Sequence, residues 1–114
     1  MTEDQLVSAL LEALARAGWK ACHFRPARTA YGWRTAVQGH PGAPDIIAVH
    51  PDHGVLLIEA KSDRGALRPE QVEWRAWAEA AAVRFPGAIT YRLVRPRDWR
   101  DGSLDTLLGY EVAA

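Results

Sequence analysis

The chain has 114 residues, of which 48% are hydrophobic and 25% charged, and its formal net charge is zero. This length is typical of one domain, so we expect a single domain over residues 1–114 that needs no structural metal or disulfide to fold. The longest uncharged apolar stretches fall well short of the roughly 20 residues of a membrane helix, and the acidic N-terminus does not resemble a basic secretory signal, so the expected location is the cytoplasm, with no membrane partner.

The first predicted element is a helix over residues 2–17. Thr2 is a suitable N-cap, and Leu6, Leu10 and Leu14 recur at helical spacing to form a buried stripe. Gly18 ends the helix, and residues 19–24 follow as a short predicted strand.

Residues 25–43 show no hydrophobic periodicity and are predicted to form a long loop. The loop lies within an acid-free stretch of the chain, and the candidate nucleic-acid contacts there are His23, Arg25, Arg28 and Arg34. The alternative is that these arginines are simply solvated on a surface loop and that His23 is a packing residue.

The rest of the chain predicts a hairpin, a helix, a strand and a short helix. The predicted bounds are 45–50 and 55–61 for the hairpin strands, 69–84 for the helix, 88–94 for the strand and 103–109 for the last helix. The expected fold is therefore α/β or α+β, with a central mixed β-sheet flanked by helices in the order α-β-β-β-α-β-α. In the second helix, Trp74 is predicted to pack in the core and Trp77 to be exposed.

Three charged residues lie at the ends of otherwise apolar strands. Side chains alternate along a strand, so Glu59 and Lys61 share one face, and the hairpin brings Asp45 to the same end of the sheet as Glu59. Two close carboxylates repel each other unless a cation lies between them, and Mg²⁺ takes oxygen ligands of this kind. The alternative is a simple ion pair between Glu59 and Lys61 where the strand emerges into water.

The motifs GAPD at residues 42–45 and EAK at residues 59–61 resemble the metal-binding signature of the PD-(D/E)XK nuclease superfamily. The following Gln71 and the glycine-rich approach to Asp45 make the chain similar to the VRR-NUC family in particular. The resemblance implies a restriction endonuclease-like fold, with Mg²⁺ or Mn²⁺ held by Asp45, Glu59 and the backbone carbonyl of Ala60. It also implies that Lys61 orients the attacking water.

Two further site residues are implied less directly. The family tends to place a glutamate in the first helix, and Glu3 is preferred over Glu12 because it shares the spacing of the leucine stripe. Gln71 is expected to project towards the metal, although its helical position also suits a capping box.

The implied function is a divalent-metal-dependent DNA endonuclease that acts on branched DNA, similar to Holliday-junction resolvases, and works as a homodimer. A dimer would supply two sites for two strands. The alternative from another class is a non-catalytic nucleic-acid-binding module that retains the fold.

Overall fold

The computed structural model describes residues 1–24, 27–34 and 38–105 of the chain. Its helices are α1 (Glu3–Arg16), α2 (Pro69–Arg84) and α3 (Pro96–Arg100). Its strands are β1 (Lys20–His23), β2 (Ala27–Thr29), β3 (Gly32–Arg34), β4 (Ile46–His50), β5 (Gly54–Ala60) and β6 (Ile89–Val94). Within these residues no helix is long and apolar enough to cross a bilayer.

The main sheet has four strands in the order β1-β4-β5-β6. The β1–β4 and β4–β5 pairs are antiparallel and the β5–β6 pair is parallel, with α2 lying in the chain between β5 and β6. The prediction of a mixed sheet flanked by helices is therefore confirmed at the level of an α+β domain. The central place of β5 agrees with a sequence that is apolar on both faces.

Helix α1 covers one face of this sheet. Its start is fixed by Thr2, whose hydroxyl accepts a hydrogen bond from the Gln5 N–H at 3.1 Å, while the Gln5 side-chain oxygen accepts one from the Thr2 N–H at 2.8 Å. The fully buried residues of the helix and the sheet pack together: Leu6, Leu10, Leu14, Ile46, Ala48, Leu56, Ile58 and Ala60. Each fully buried leucine contributes roughly 1.5–3 kcal/mol, so this layer holds the sheet in place.

Helix α2 lies against β6, on the other face of the sheet. The guanidinium of Arg75 lies 5.9 Å from the centre of the Tyr91 ring, and Tyr91 is paired in register with Leu57 of β5. Residues paired across neighbouring strands share a face. Leu57, and with it Glu59 two residues later, therefore faces the α2 side.

Two elements of the structure were not predicted from the sequence. The segment predicted as a long loop contains a small hairpin, in which β2 and β3 pair antiparallel around a turn whose Gly32 has a φ of 101°. Three-residue strands are too short for an alternating pattern to reveal them. Helix α3 was not predicted from the sequence, and Pro96, which follows the predicted strand, begins it. Of the helix predicted over residues 103–109, residues 103 and 104 lie in a turn, Asp105 is helical, and residues 106–109 lie outside the described part of the chain.

Candidate metal centre

Asp45 and Glu59 lie at the same end of the β4–β5 hairpin. The two strands are antiparallel, and Ile46 is paired with Ile58. Asp45, which precedes Ile46, and Glu59, which follows Ile58, therefore lie at the same end of the paired strands. Asp45 is half-buried and Glu59 is 1% exposed. The structure therefore brings together the two carboxylates that the sequence singled out.

Asp45 is held by backbone groups of two other strands. Its Oδ2 accepts a hydrogen bond from the Ala60 N–H at 2.8 Å, and its own carbonyl accepts one from the Phe24 N–H at 3.2 Å. The N–H and C=O groups of one strand residue point to the same edge. Since the Lys61 N–H donates to the Val94 carbonyl on the β6 side, the Ala60 carbonyl points to the opposite edge, where Asp45 lies.

Gln71 joins the site to α2 through both ends of its side-chain amide. Its Nε2 donates to Glu59 Oε1 at 2.9 Å, and its Oε1 accepts from the Arg68 N–H at 2.9 Å. The two interpretations of Gln71 were posed as alternatives, but the geometry combines them. The amide that satisfies the first turn of α2 also orients the buried carboxylate, and Gln71 itself is 5% exposed.

The pKa of Glu59 is raised from 4.5 to about 8. Burial is the largest cause, followed by the charge of the neighbouring Asp45 and a hydrogen bond with it. The Lys61 ammonium lowers this pKa in part, and the charge of Glu3 raises it slightly. In the absence of a cation, Glu59 therefore keeps its proton to a higher pH than a glutamate in water does.

Lys61 shares the face of Glu59, as strand alternation requires. No direct ion pair joins these two residues in the described part of the chain, although the ammonium is near enough to lower the pKa of Glu59. The aliphatic part of Lys61 runs past Gly65, where an added Cβ would lie 3.7 Å from the Lys61 Cδ. The simple ion pair considered above therefore does not explain this pair of charges.

The loop after Lys61 is fixed by arginines whose role was not predicted from the sequence. Arg95 Nη1 donates to the carbonyl oxygens of Ser62 and Gly65, both at 2.7 Å. Asp63 accepts from the Arg97 N–H at 2.9 Å and from Arg100 Nη2 at 3.1 Å, and these contacts lower the pKa of Asp63. In the sequence, only the acidic Asp63 in the loop after Lys61 could have indicated a partner for these arginines.

Glu3 lies within electrostatic range of the site, and Glu12 does not contribute to it. The charge of Glu3 affects the pKa of Glu59, whereas Glu12 forms an exposed ion pair with Arg16 at 2.6 Å. Glu3 is nevertheless exposed, so the prediction that it shares the buried stripe of α1 is wrong in that respect. The burial of α1 begins at Leu6, one turn later.

The candidate nucleic-acid contacts have mixed positions. His23 pairs with Ile46 and so lies at the same end of the sheet as Asp45, but on the face of Ile46, which is the α1 side. Arg25 lies outside the described residues. Arg28 and Arg34 belong to β2 and β3, and their side chains lie outside the described part of the structure. The basic contact surface therefore stays a prediction.

The donor set suits a hard divalent cation. One oxygen of each carboxylate is fixed by a protein donor, Ala60 N–H for Asp45 and Gln71 Nε2 for Glu59, which leaves the second oxygen of each for a cation. Among the described residues no three His, Cys, Asp or Glu side chains converge as a metal-binding group. Mg²⁺ does not need three, since it commonly uses one or two carboxylates and keeps several waters.

Comparison with known proteins does not identify a relative. No family model matches the chain, and no curated protein matches it significantly. The function must therefore be inferred from the geometry of the site.

Proposed function

We propose that this chain is a Mg²⁺- or Mn²⁺-dependent DNA endonuclease of VRR-NUC type with a restriction endonuclease-like fold. One observation carries the proposal: the buried carboxylate of Glu59 lies against Asp45 at the end of a hairpin, where its pKa is raised to about 8. Two carboxylates this close repel each other unless a cation or a proton lies between them. Strongly shifted carboxyls of this kind are typical of functional sites.

The residues of the site have separate roles in this proposal. Asp45 and Glu59 would hold the cation, with the Ala60 carbonyl as a third donor and Glu3 as an additional carboxylate nearby. When bound, the ion supplies Lewis acidity for the phosphoryl oxygens and lowers the pKa of a bound water. Lys61 directs its ammonium towards the same place and stabilises the negative charge that develops on the phosphate. Gln71 keeps the Glu59 carboxylate in position.

The architecture supports the same proposal. The hairpin carrying both motifs is covered by α1 on one face, and the chain returns through α2 to a parallel strand, β6. An α+β domain of this kind is compatible with the restriction endonuclease-like fold that the resemblance implies. The proposal extends to branched DNA as substrate and to a homodimer, since two sites in a symmetric pair can cut two strands.

The test is cleavage of a panel of labelled DNAs, including four-way junctions, flaps, nicked duplex and single strands, in Mg²⁺ or Mn²⁺. Wild type is expected to cut at least one branched substrate, and Asp45→Asn and Lys61→Ala are expected to lose cleavage but retain DNA binding. Glu12→Gln is the matched control, because Glu12 is an exposed glutamate outside the site. Binding without cleavage of any substrate by wild type would favour the non-catalytic module instead.

A further inference from the structure

A cleft of about 450 Å³ lies beside the candidate metal centre, between the segment that leads into β4 and the first turns of α2. Its walls are formed by His40, Pro41, Glu70, Glu73, Trp74 and Trp77. The volume falls within the range of small-ligand sites in proteins. None of these six residues takes part in the proposed metal binding.

The two tryptophans give the cleft a fixed wall and an open aromatic surface. The indole N–H of Trp74 donates to the Pro41 carbonyl at 2.9 Å and approaches the His40 carbonyl at 3.3 Å, which fixes the ring against the loop. Trp77, three residues further along α2, is 74% exposed. A large exposed aromatic side chain beside a rigid one provides a face on which a planar ligand can stack.

The cleft and the metal centre are built from the same two chain segments. Gly42 packs so closely on α2 that an added Cβ would lie 2.7 Å from the Glu70 carbonyl carbon. Glu70 is followed directly by Gln71, which holds Glu59, and the segment of Gly42 leads directly to Asp45. Residues that line the cleft are therefore close neighbours, along both segments, of residues that form the metal centre.

The charges of the cleft select the part of a nucleic acid that can enter. Glu70 and Glu73 are acidic residues of its wall, and Arg68 Nε lies 3.2 Å from Glu70 Oε1. Carboxylates repel a phosphate but accept hydrogen bonds from the exocyclic amino groups of cytosine or adenine. Thymine lacks such a group.

We propose that this cleft binds an unpaired nucleobase bearing an exocyclic amino group, on the strand whose phosphate lies at the metal centre. The base stacks on Trp77 and Trp74, and its amino group donates to Glu73 or Glu70. The inference rests on the proposed function for the identity of the polymer. It predicts a base preference next to the cut and a preference for DNA structures that expose unpaired bases.

The test measures binding of fluorescently labelled oligo-dC and oligo-dT in Ca²⁺ by anisotropy. Wild type is expected to bind oligo-dC about tenfold more tightly, since hydrogen bonds to the edge of one base discriminate by roughly 1–3 kcal/mol. Trp77→Ala should lose this preference, and Glu73→Gln should weaken oligo-dC binding without changing oligo-dT binding. Phe85→Ala is the matched control, an exposed aromatic residue at the other end of α2.

Each result separates the base site from the nuclease proposal. Equal binding of the two oligonucleotides, or an unchanged preference in Trp77→Ala, overturns the base site even if the protein cleaves DNA. A Trp77-dependent preference without cleavage of any DNA supports the base site while the nuclease proposal fails. Quenching of tryptophan fluorescence by a trimethyl-lysine peptide but not by oligo-dC overturns it in favour of a cationic ligand. A sedimentation change in Trp77→Ala with unchanged preference overturns it in favour of a subunit contact.

Discussion

The metal-free protein should lose stability as the pH rises, and Glu59 should be the cause. Its pKa is raised from 4.5 to about 8 in the folded protein, so between these pH values the folded state binds more protons than the unfolded chain. Stability is therefore fully present below pH 4.5 and is lost as the pH rises through 8. A pKa difference of one corresponds to about 1.4 kcal/mol, so the rise in the pKa of Glu59 lowers the free energy of unfolding by about 5 kcal/mol between the two ends of this pH range.

Glu59→Gln should abolish this loss while keeping the local contacts. The new side-chain oxygen can still accept from Gln71 Nε2, and the amide carries no charge to repel Asp45. The assay is urea unfolding in EDTA between pH 5 and 8.5 for wild type, Glu59→Gln and the exposed control Glu12→Gln. The difference between the wild-type and Glu59→Gln curves isolates Glu59, since these two proteins differ at this residue alone.

We expect Glu59→Gln to become several kcal/mol more stable than wild type at the high end of this pH range. Saturating Mg²⁺ should remove most of the difference, because a bound cation stabilises both carboxylates in their ionised form. Parallel pH curves for wild type and Glu59→Gln in EDTA would refute the reasoning, because Glu59 would then titrate as it does in water.

Three other substitutions test the supporting contacts of the site. Gln71→Ala should destabilise the protein by about 1–3 kcal/mol, measured by urea unfolding, because it removes one buried and one partly buried hydrogen bond. It should also lower the cleavage rate, and an unchanged rate would exclude Gln71 from positioning Glu59. Gly42→Ala should lower both stability and cleavage, because Gly42 has a φ of 95° and an added Cβ would clash with Glu70. Its control is Gly39→Ala, where φ is 101° but nothing lies near the added Cβ, so only the smaller cost of the backbone conformation is expected. Arg95→Ala should reduce cleavage by releasing the loop after Lys61, and should lower the free energy of unfolding by about 1–2 kcal/mol. The control is Arg84→Ala, at an exposed arginine of α2. Equal cleavage by the two variants would contradict the anchoring role of Arg95.

The sequence predicted the elements whose ends carry strong local signals. Residues 69–84 were predicted as a helix and observed as Pro69–Arg84, because Pro69 suits the first helical turn and Pro86 with Gly87 prevents continuation. The β4–β5 hairpin was predicted from two apolar strands joined by a short turn, and this hairpin places Asp45 and Glu59 at the same end of the sheet.

Other features depended on contacts that a sequence does not display. The β2–β3 hairpin has strands of three residues, and α3 begins at a proline that also fits the end of a strand. The Ala60 N–H bond to Asp45 requires the register of two strands to be known. The exposure of Glu3 depends on where α1 meets the sheet, which helical spacing alone does not define.

The most direct test is the rate of DNA cleavage as Mn²⁺ is titrated, with a labelled four-way junction as substrate and wild type compared with Asp45→Asn. We predict that the cleavage rate of wild type and of the control Glu12→Gln saturates with Mn²⁺. The rate of Asp45→Asn should be lower by at least about a hundredfold, because loss of a metal-binding carboxylate removes several kcal/mol of transition-state stabilisation. Cleavage that persists in EDTA, or proceeds equally fast in Asp45→Asn, would contradict a metal centre formed by Asp45 and Glu59.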